Sequence, residues 1–192
     1  IDFYRDLQLT SWADKKHHML ELKVLKTASK VVTVTWRSRD EFKALCGRND
    51  IEVIPNGFDD ADFPVDKRGP LDEEFTIVHI GSMNKDRNPE VFWKATHKAL
   101  AESPDLKLKL KIRLVGPVDF SVRSSVEQFE LQGYTEFVEF IPHDEAVKLQ
   151  QQAQINLLVI NNSPNSRAII PGKLYGYLGS GRPLLAIGPK DS

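Results

Sequence analysis

Side chains suited to binding a sugar or a phosphate lie between two apolar runs, residues 155–160 and residues 184–187. Residues 161–166 supply asparagine amides and serine hydroxyls, which suit the hydroxyl groups of a sugar or a ribose. Arg167 and Lys173 follow with positive charges that suit a diphosphate, because a guanidinium can grip a phosphate through two N–H groups. These residue types suit a ligand that carries a sugar and a diphosphate, but they are not specific to one.

A short glycine-rich helix is predicted directly after this polar loop. Pro171 suits the first helical position because its φ is fixed, and Gly181 and Pro183 end the helix. A glycine inside a helix costs roughly 1 kcal/mol relative to alanine, and this helix has three in it or at its edge: Gly172, Gly176 and Gly179. Either a phosphate approaches the backbone at the positive end of the helix, or the glycines let the helix pack tightly on its own sheet. The sequence has neither a strict G-x-G-x-x-G motif nor a Walker A pattern here.

A second candidate binding loop spans residues 81–88, ahead of a predicted helix at Pro89. Gly81 allows a sharp turn, and Ser82 offers a hydroxyl. Arg87 and, less strongly, Lys85 offer charge for a phosphate. The alternative is that this charged run is only a solvated loop surface.

Predicted strands alternate with predicted helices over the C-terminal part of the chain. The strands are predicted at residues 75–80, 106–115, 137–141, 155–160 and 184–187. Between them, helices are predicted at residues 89–101, 118–131 and 144–153 and after Pro171. This alternation predicts an α/β fold with a doubly wound, Rossmann-like parallel sheet. The usual strand order places the first and fourth strands side by side, so that both candidate loops flank one ligand crevice.

The first quarter of the chain predicts a separate α/β piece. Helices are expected at residues 14–29 and 37–47, and strands at residues 31–35 and 51–54. Residues 59–74 carry many charges, two prolines and a glycine, which is typical of an interdomain linker. The predicted organisation is therefore part of one domain in residues 1–58, a linker in 59–74 and a ligand-binding domain in 75–192. We expect a fragment cut at both ends, since the chain starts with Ile1 and a full doubly wound sheet often has a sixth strand.

Composition excludes several other classes of protein. A net charge of -1 over 192 residues argues against a general nucleic-acid binder. The single cysteine, Cys46, excludes an internal disulfide framework and fits a reducing compartment, so we expect a cytoplasmic protein. No apolar run is long enough to span a membrane, and no metal-ligand spacing occurs, so no metal or other cofactor is expected.

Two further features have simple explanations. Residues 107–113 alternate lysine or arginine with leucine or isoleucine, which predicts a strand with one wet face rather than a basic binding stripe. His143 begins a predicted helix near the crevice, where a histidine is usually a residue of the capping region.

Three segments resemble GT-B fold glycosyltransferases of the group 1 (family 4) type. Residues 54–59 resemble the IPNG(V/F)D junction between the two domains of that family. Residues 79–82 with 86–89 resemble the first strand and loop of its C-terminal domain, and residues 171–183 resemble its PxKLFEYLASGRP helix. The segments occur in the family's order and spacing along nearly the whole chain.

The resemblance implies a retaining sugar transferase whose C-terminal domain holds a nucleotide-diphosphate sugar, UDP- or GDP-linked. Arg87 matches a basic residue that contacts the diphosphate, and the backbone around Gly172 supplies N–H groups. Taken together, the loops and the resemblance place the donor diphosphate and sugar at Gly81, Ser82, Arg87, Asn165, Arg167, Gly172, Lys173 and Leu174. No catalytic residue is assigned.

The chain departs from the family pattern at three positions. Ser82 stands where many members have a second basic residue. Gly176, on the ribose side, stands where the family has a ribose-binding glutamate, and Ala168 replaces the partner acid. A lost hydrogen bond to a charged acceptor costs on the order of 1.5–3 kcal/mol, so we expect weaker donor binding or a ribose held by Asn165 or a water.

Two functions follow from the resemblance. The first is the donor half of an enzyme of glycan or surface polysaccharide synthesis, with a glycan or lipid-linked acceptor and possible peripheral membrane association of the parent protein. In that family the acceptor domain comes first in the chain, and most of it would lie before Ile1. This fragment is therefore expected to be inactive alone. The alternative is a non-catalytic nucleotide-binding or interaction module that has lost the acidic residues.

Overall fold

The structure is a computed structural model, and it describes residues 12–64, 69–161 and 169–190. The described chain divides into two units. The first comprises residues 12–56 and 169–170, and the second comprises residues 57–64, 69–161 and 171–190. In each unit, helices pack on parallel strands.

The first unit is a strand-helix-strand piece preceded by a helix. Its elements are α1 (Trp12–Thr27), β1 (Val31–Thr33), α2 (Trp36–Cys46) and β2 (Ile51–Val53). The two strands pair in parallel, with Val31 opposite Ile51, and both side chains join Leu25 in a small core. At the end of α2, Gly47 takes a left-handed conformation with φ +75°, as the glycine position predicts.

The second unit contains the larger sheet. Its strands are β3 (Phe75–Ile80), β4 (Leu110–Val115), β5 (Thr135–Val138), β6 (Ile155–Val159) and β7 (Leu184–Ile187). Its helices are α3 (Glu90–Glu102), α4 (Pro104–Lys109), α5 (Phe120–Gln128), α6 (His143–Gln152) and α7 (Lys173–Ser180), with short 3-10 turns at Asp60–Asp62 and Lys85–Arg87.

The strand order confirms the predicted doubly wound sheet. The five strands are all parallel and lie in the order β5-β4-β3-β6-β7, which places β3 beside β6 where the order reverses. Helices cover both faces, since Ile77 and Val78, adjacent on β3, join separate buried clusters. The ligand crevice of such a sheet lies at the carboxyl ends of β3 and β6.

The predicted strand 106–115 is wrong in its first half. Residues Pro104–Lys109 form α4, and the strand begins only at Leu110. Ser103 caps the helix by accepting a hydrogen bond from the Leu106 N–H, and Pro104 occupies its first turn. These start signals outweigh the alternation of lysine and leucine. On β4 itself, Arg113 forms ion pairs with Asp72 and Glu136, so no free basic stripe remains there.

The predicted strand 137–141 is shifted. Strand β5 runs from Thr135 to Val138 because its ladder with β4 ends where Val115 pairs with Val138. The Gly116 N–H donates the last hydrogen bond, to the Val138 carbonyl. The partner strand therefore sets the end of β5, and residues 139–141 have no strand to pair with.

Helix α7 lies close to its predicted position. It begins at Lys173, two residues after Pro171, and ends at Ser180, and the next residue, Gly181, caps it with a left-handed φ of +65°. None of the described helices combines the length and the apolar character needed to cross a bilayer.

Candidate functional site

Strands β3 and β6 separate at their carboxyl ends. Their ladder has two pairs, Ile77 with Ile155 and Val78 with Asn156, whereas β3 pairs with β4 along its whole length. The backbone groups beyond Val78 on the β6 side therefore need other partners.

Two buried side chains provide these partners. The His79 ring donates from Nδ1 to the Leu157 carbonyl oxygen at 2.9 Å, and the Ile80 N–H donates to the Tyr177 hydroxyl at 2.9 Å. Each of the two side chains is only 1% exposed. Burial raises the pKa of Tyr177 to about 12, so the hydroxyl stays protonated and α7 stays fastened to the end of β3.

The loop after β3 stays fixed on the opposite side, along β4. The Gly81 N–H donates to the Val115 carbonyl at 2.7 Å, and the Met83 N–H donates to the Pro117 carbonyl at 2.9 Å. Gly81 has φ +106°, a conformation that favours glycine. The chain thus turns sharply at the end of β3 and leaves the crevice open toward β6.

The Arg87 guanidinium spans this opening. Its Nε donates to Asn161 Oδ1, at the carboxyl end of β6, and its Nη1 donates to the Ser82 carbonyl oxygen at 3.2 Å. Lys85, two residues earlier, is exposed. Of the two charged candidates in this loop, Arg87 lies in the crevice and Lys85 faces solvent.

Lys173 reaches the same carbonyl oxygen from the first residue of α7. Its Nζ lies 3.5 Å from the Ser82 carbonyl oxygen and 3.4 Å from His79 Nε2. No carboxylate of the described residues forms an ion pair with Lys173 or Arg87. Two cations without anionic partners therefore meet at one point of the crevice.

The surroundings of Lys173 disfavour its charged form. Burial, followed by the nearby charge of Arg87, lowers the pKa of Lys173 to about 8. Burial, followed by the charge of Lys173, lowers the pKa of His79 to about 4, so the imidazole is neutral at pH 7. An anion bound between the two cations would relieve their repulsion, which is what a phosphate-binding site requires.

Solved structures share this fold. Sucrose-phosphate synthase from Thermosynechococcus elongatus is 19% identical, with a TM-score of 0.67 over 94% of this chain and 47% of its own. WaaG, a glycosyltransferase involved in lipopolysaccharide biosynthesis, is 16% identical (TM-score 0.64, 94% of this chain and 50% of its own). Anabaena HepE, solved in complex with UDP and glucose, is 18% identical (TM-score 0.61, 93% and 49%).

The fold is that of GT-B glycosyltransferases. The chain spans about half the length of these structures. No protein-family model matches the sequence, and comparison with curated proteins returns no match. The structure therefore confirms the resemblance to GT-B glycosyltransferases at the level of the fold. Sequence identities this low show a shared fold and nothing more.

Within this GT-B fold, the glycines of α7 have different surroundings. A Cβ on Gly172 would meet no atom within 4 Å. On Gly179 it would lie 2.7 Å from Phe63 Cδ2 and 2.8 Å from Phe58 Cδ2. Gly179 is therefore required by close packing, whereas Gly172 faces open space.

Gly176 also faces the protein. A Cβ there would lie 3.3 Å from Gln150 Oε1 and 3.8 Å from Phe63 Cζ. Gln150 belongs to α6 and is buried, and its Oε1 has no hydrogen-bond partner among the described residues. Gly176 thus has a neutral amide beside it.

The start of α7 leaves few free backbone donors. The Leu174 N–H donates to the Pro171 carbonyl at 3.0 Å, and the Tyr175 N–H donates to the Gly172 carbonyl at 3.2 Å. Among the described residues, no backbone carbonyl accepts from the Gly172 or Lys173 N–H. Leu174 is half-buried.

The structure brings together four of the predicted site residues: Gly81, Ser82, Arg87 and Lys173. Asn165 and Arg167, with Ala168, lie outside the described residues. His143 pairs with Asp62, its Nε2 2.9 Å from the carboxylate. No cluster of three metal-ligating side chains occurs in the part of the chain that the structure describes.

The sequence analysis missed the hydrogen-bonding positions of His79 and Tyr177 at the end of β3. Both lie in apolar surroundings, where a single polar side chain reads as a satisfied core residue. The sequence did contain one indication of this position. His79 lies one residue before the end of a strand that is predicted to have helices on both faces. A polar side chain there must find partners at the carboxyl end of the sheet.

Proposed function

We propose that this chain is the donor-binding part of a retaining glycosyltransferase. Its ligand is a nucleotide-diphosphate sugar, UDP- or GDP-linked, bound at the carboxyl ends of β3 and β6. The observation that carries the proposal is the meeting of Arg87 and Lys173 at the Ser82 carbonyl, where neither forms an ion pair with a carboxylate of the described residues. HepE was solved with UDP and glucose, and the pneumococcal O-GlcNAc transferase GtfA with UDP and GlcNAc, which supports this ligand class.

The two cations fit the chemistry of sugar transfer. When the bond between the sugar and the diphosphate breaks, negative charge grows on the departing phosphate oxygen. A guanidinium and an ammonium fixed at that oxygen stabilise the charge without needing to rearrange. Because the protein itself supplies two positive charges, the proposal includes no metal ion or other cofactor.

The first unit supports a larger acceptor domain as part of the proposal. One face of β1 is buried, whereas Val32 on the other face is 51% exposed. Val24 and Trp36, on α1 and α2, are exposed as well. Apolar side chains on a short sheet and its helices are typical of a piece of a larger core. We assign residues 1–58 to the acceptor domain and residues 59–74 to the linker.

The parent enzyme is proposed to be cytoplasmic and to build a glycan or surface polysaccharide on a glycan or lipid-linked acceptor, with possible peripheral attachment to a membrane. WaaG acts in lipopolysaccharide biosynthesis, which favours this class of pathway. The 192-residue chain is proposed to be inactive alone. Sugar transfer by the isolated chain to any acceptor would contradict this part.

A second function is favoured by one observation. Gly176 supplies no carboxylate for a ribose, and the side chain next to it, Gln150, is neutral. A protein with the GT-B fold but without this acid could bind a nucleotide or a partner without catalysis. Activity of the full-length parent separates the two functions, since only the enzyme transfers sugar.

Calorimetry tests donor binding directly. The chain is titrated with UDP, GDP and their sugars at pH 7, and Arg87→Gln serves as the variant that lacks one cation. We expect one nucleotide diphosphate to bind the wild-type chain and Arg87→Gln to bind it at least about tenfold more weakly. Absence of binding by the wild-type chain and by its full-length parent would refute the proposal.

The ribose side is tested by Gly176→Glu. The new side chain starts 3.3 Å from Gln150 Oε1, so the variant is paired with Gly176→Glu/Gln150→Ala, which makes room. If α7 reads the ribose, the double variant binds UDP more tightly than Gln150→Ala alone. Equal affinity would show that this helix does not contact the ribose.

A further inference from the structure

We propose that His79 is a positioning residue for the bound diphosphate: it holds the Lys173 ammonium over Gly81, where Lys173 supplies a second positive charge beside Arg87. The inference rests on the proposed function, because the diphosphate is the ligand that the two cations would share.

One nitrogen of His79 is committed to the sheet. The ring is 1% exposed, and its Nδ1 lies 2.9 Å from the Leu157 carbonyl oxygen. A carbonyl oxygen only accepts hydrogen bonds, so Nδ1 must carry the proton. In the neutral imidazole, Nε2 is then left with a lone pair. The strand contact therefore fixes both the orientation and the tautomer of the ring.

The other nitrogen faces Lys173. Nζ of Lys173 lies 3.4 Å from His79 Nε2, and an ammonium can only donate. A free lysine side chain loses rotamer entropy when it is held in one conformation. The acceptor on His79 offsets part of this loss before a ligand arrives, so the charge is already in place.

Gly81 leaves the space that the lysine occupies. A Cβ on Gly81 would lie 2.6 Å from Lys173 Cε and 2.7 Å from Nζ. The lysine therefore crosses directly over the turn at the end of β3, and it ends 3.5 Å from the Ser82 carbonyl oxygen. The glycine and the histidine act on the same side chain: one admits it and the other holds it.

The charges around His79 keep it an acceptor. Lys173 faces it from α7, and Arg87 acts on it from the loop after β3. Burial and these two positive charges oppose protonation of the ring, and the pKa of His79 is lowered to about 4. A protonated ring would point an N–H at an ammonium. Above about pH 5, His79 therefore remains neutral, and its contact with Lys173 persists.

The simpler alternative is that His79 only links β3 to β6 through its hydrogen bond to Leu157. That role uses Nδ1 alone, so two substitutions can separate the roles. The amide of His79→Asn can replace the Nδ1–H donor to Leu157 but is too short to reach Lys173. The longer side chain of His79→Gln places its amide where Nε2 of His79 lies, so it can accept a hydrogen bond from Lys173. It has no donor at the position of Nδ1, so the hydrogen bond to Leu157 is lost.

Calorimetry with inorganic pyrophosphate at pH 7 tests the inference on the 192-residue chain. Pyrophosphate is the probe because it carries the charges of the ligand and no base or sugar. We expect Lys173→Met and His79→Asn each to weaken binding by about tenfold, as for one lost hydrogen bond to a charged group, and His79→Gln to stay within about twofold of wild type. In the Lys173→Met background, His79→Asn should weaken binding no further.

Each outcome decides between the roles. Weaker binding by His79→Gln than by His79→Asn, or additive losses in the double variant, would assign His79 to the strands alone and overturn the inference. Loss with Lys173→Met but none with His79→Asn would overturn it while leaving the proposed function in place. Failure of both the wild-type chain and its full-length parent to bind pyrophosphate, UDP and GDP would overturn both, and failure of the wild-type chain alone would overturn this inference.

A measurement on the wild-type chain tests the inference even where a variant fails to fold. Nitrogen-15 NMR of the histidine side chains reports which ring nitrogen carries the proton. The inference requires the Nδ1-protonated, neutral form of His79 at pH 7, and a change in the Nε2 resonance when pyrophosphate is added. An Nε2-protonated ring at pH 7, or an Nε2 resonance that ignores the added pyrophosphate, would contradict the inference.

Discussion

The two ends of helix α7 carry the same kind of residue for different reasons. At its start, Gly172 faces open space and Lys173 carries a charge without an anionic partner among the described residues. In its second half, Gly179 lies against two phenylalanine rings, and Ser180 is fully buried. The glycines of this helix therefore differ in role. Gly179 is needed for close packing, and Gly172 has the open space that a phosphate would need.

The physical cause is the direction in which each residue points. The first turn of α7 lies at the carboxyl ends of the strands, where the helix dipole is positive. The second half packs on residues Phe58 and Phe63, whose rings meet edge to face at 5.6 Å. Electrostatics therefore dominates the start of the helix, and packing dominates its end.

The largest expected effect is at the charged end. Arg87→Gln removes a guanidinium that bridges Asn161 and the Ser82 carbonyl, and it should weaken binding of UDP or pyrophosphate by about 10- to 100-fold. Calorimetry measures the change. The matched control is Lys85→Gln in the same loop, which removes an exposed charge and should alter affinity by less than about twofold. Equal losses in both variants would mean that the loop acts only through its net charge.

The packed end is tested by Gly179→Ala. Alanine gains about 1 kcal/mol of helix propensity, but its Cβ would lie 2.7 Å from Phe63 Cδ2, and that ring is buried. Overpacking of this kind costs about 1–3 kcal/mol, so the free energy of unfolding should fall. Urea denaturation gives the value. A stabilised Gly179→Ala variant, with unchanged dependence on urea, would show that Phe63 and Phe58 move aside freely.

The charge of Lys173 gives the start of the helix a pH dependence. The pKa of Lys173 in the free protein is about 8, and a bound anion raises it because the anion favours the charged form. Affinity for pyrophosphate should therefore be full below about pH 8 and fall as the pH rises toward 10. Calorimetry in buffers of matched ionic strength measures this. Lys173→Arg stays charged throughout, so the loss above pH 8 should be absent from that variant.

The smallest effect on stability belongs to Gly172→Ala. A Cβ there meets nothing within 4 Å, so the free energy of unfolding should change by no more than about 0.5 kcal/mol. Binding of UDP should nevertheless weaken several-fold if a phosphate approaches this backbone. Thermal unfolding and calorimetry on the same sample separate the two. Unchanged affinity would place the phosphates away from the start of α7 and remove the contrast with Gly179.

Much of the larger sheet could be predicted because its signals are local. Strands β3 and β7 were predicted to the residue, since each is an apolar run bounded by turn residues. The prediction for residues 106–109 was wrong because Ser103 and Pro104 start a helix in a segment whose side chains alternate like a strand. The end of β5 depends on its pairing with β4, which no local pattern contains.

The candidate site was predictable only in part. Arg87 and Lys173 were chosen for their charge, and the structure places both at Ser82. His79 was overlooked because its role depends on Lys173, which lies 94 positions away along the chain. The fates of Gly172 and Gly179 could not be told apart, since a glycine has no side chain by which a sequence pattern could reveal its neighbours.

The sequence by itself determined the alternation of strands and helices, and with it the parallel sheet and the edge at which a ligand can bind. Periodicity and turn residues act over a few neighbouring positions, so a sequence shows them directly. Only the tertiary structure decided that His79, Gly81 and Lys173 meet, and that Gly179 is closed off by Phe63. These contacts depend on distances of a few ångströms between distant segments, which the packing of α7 on the sheet sets.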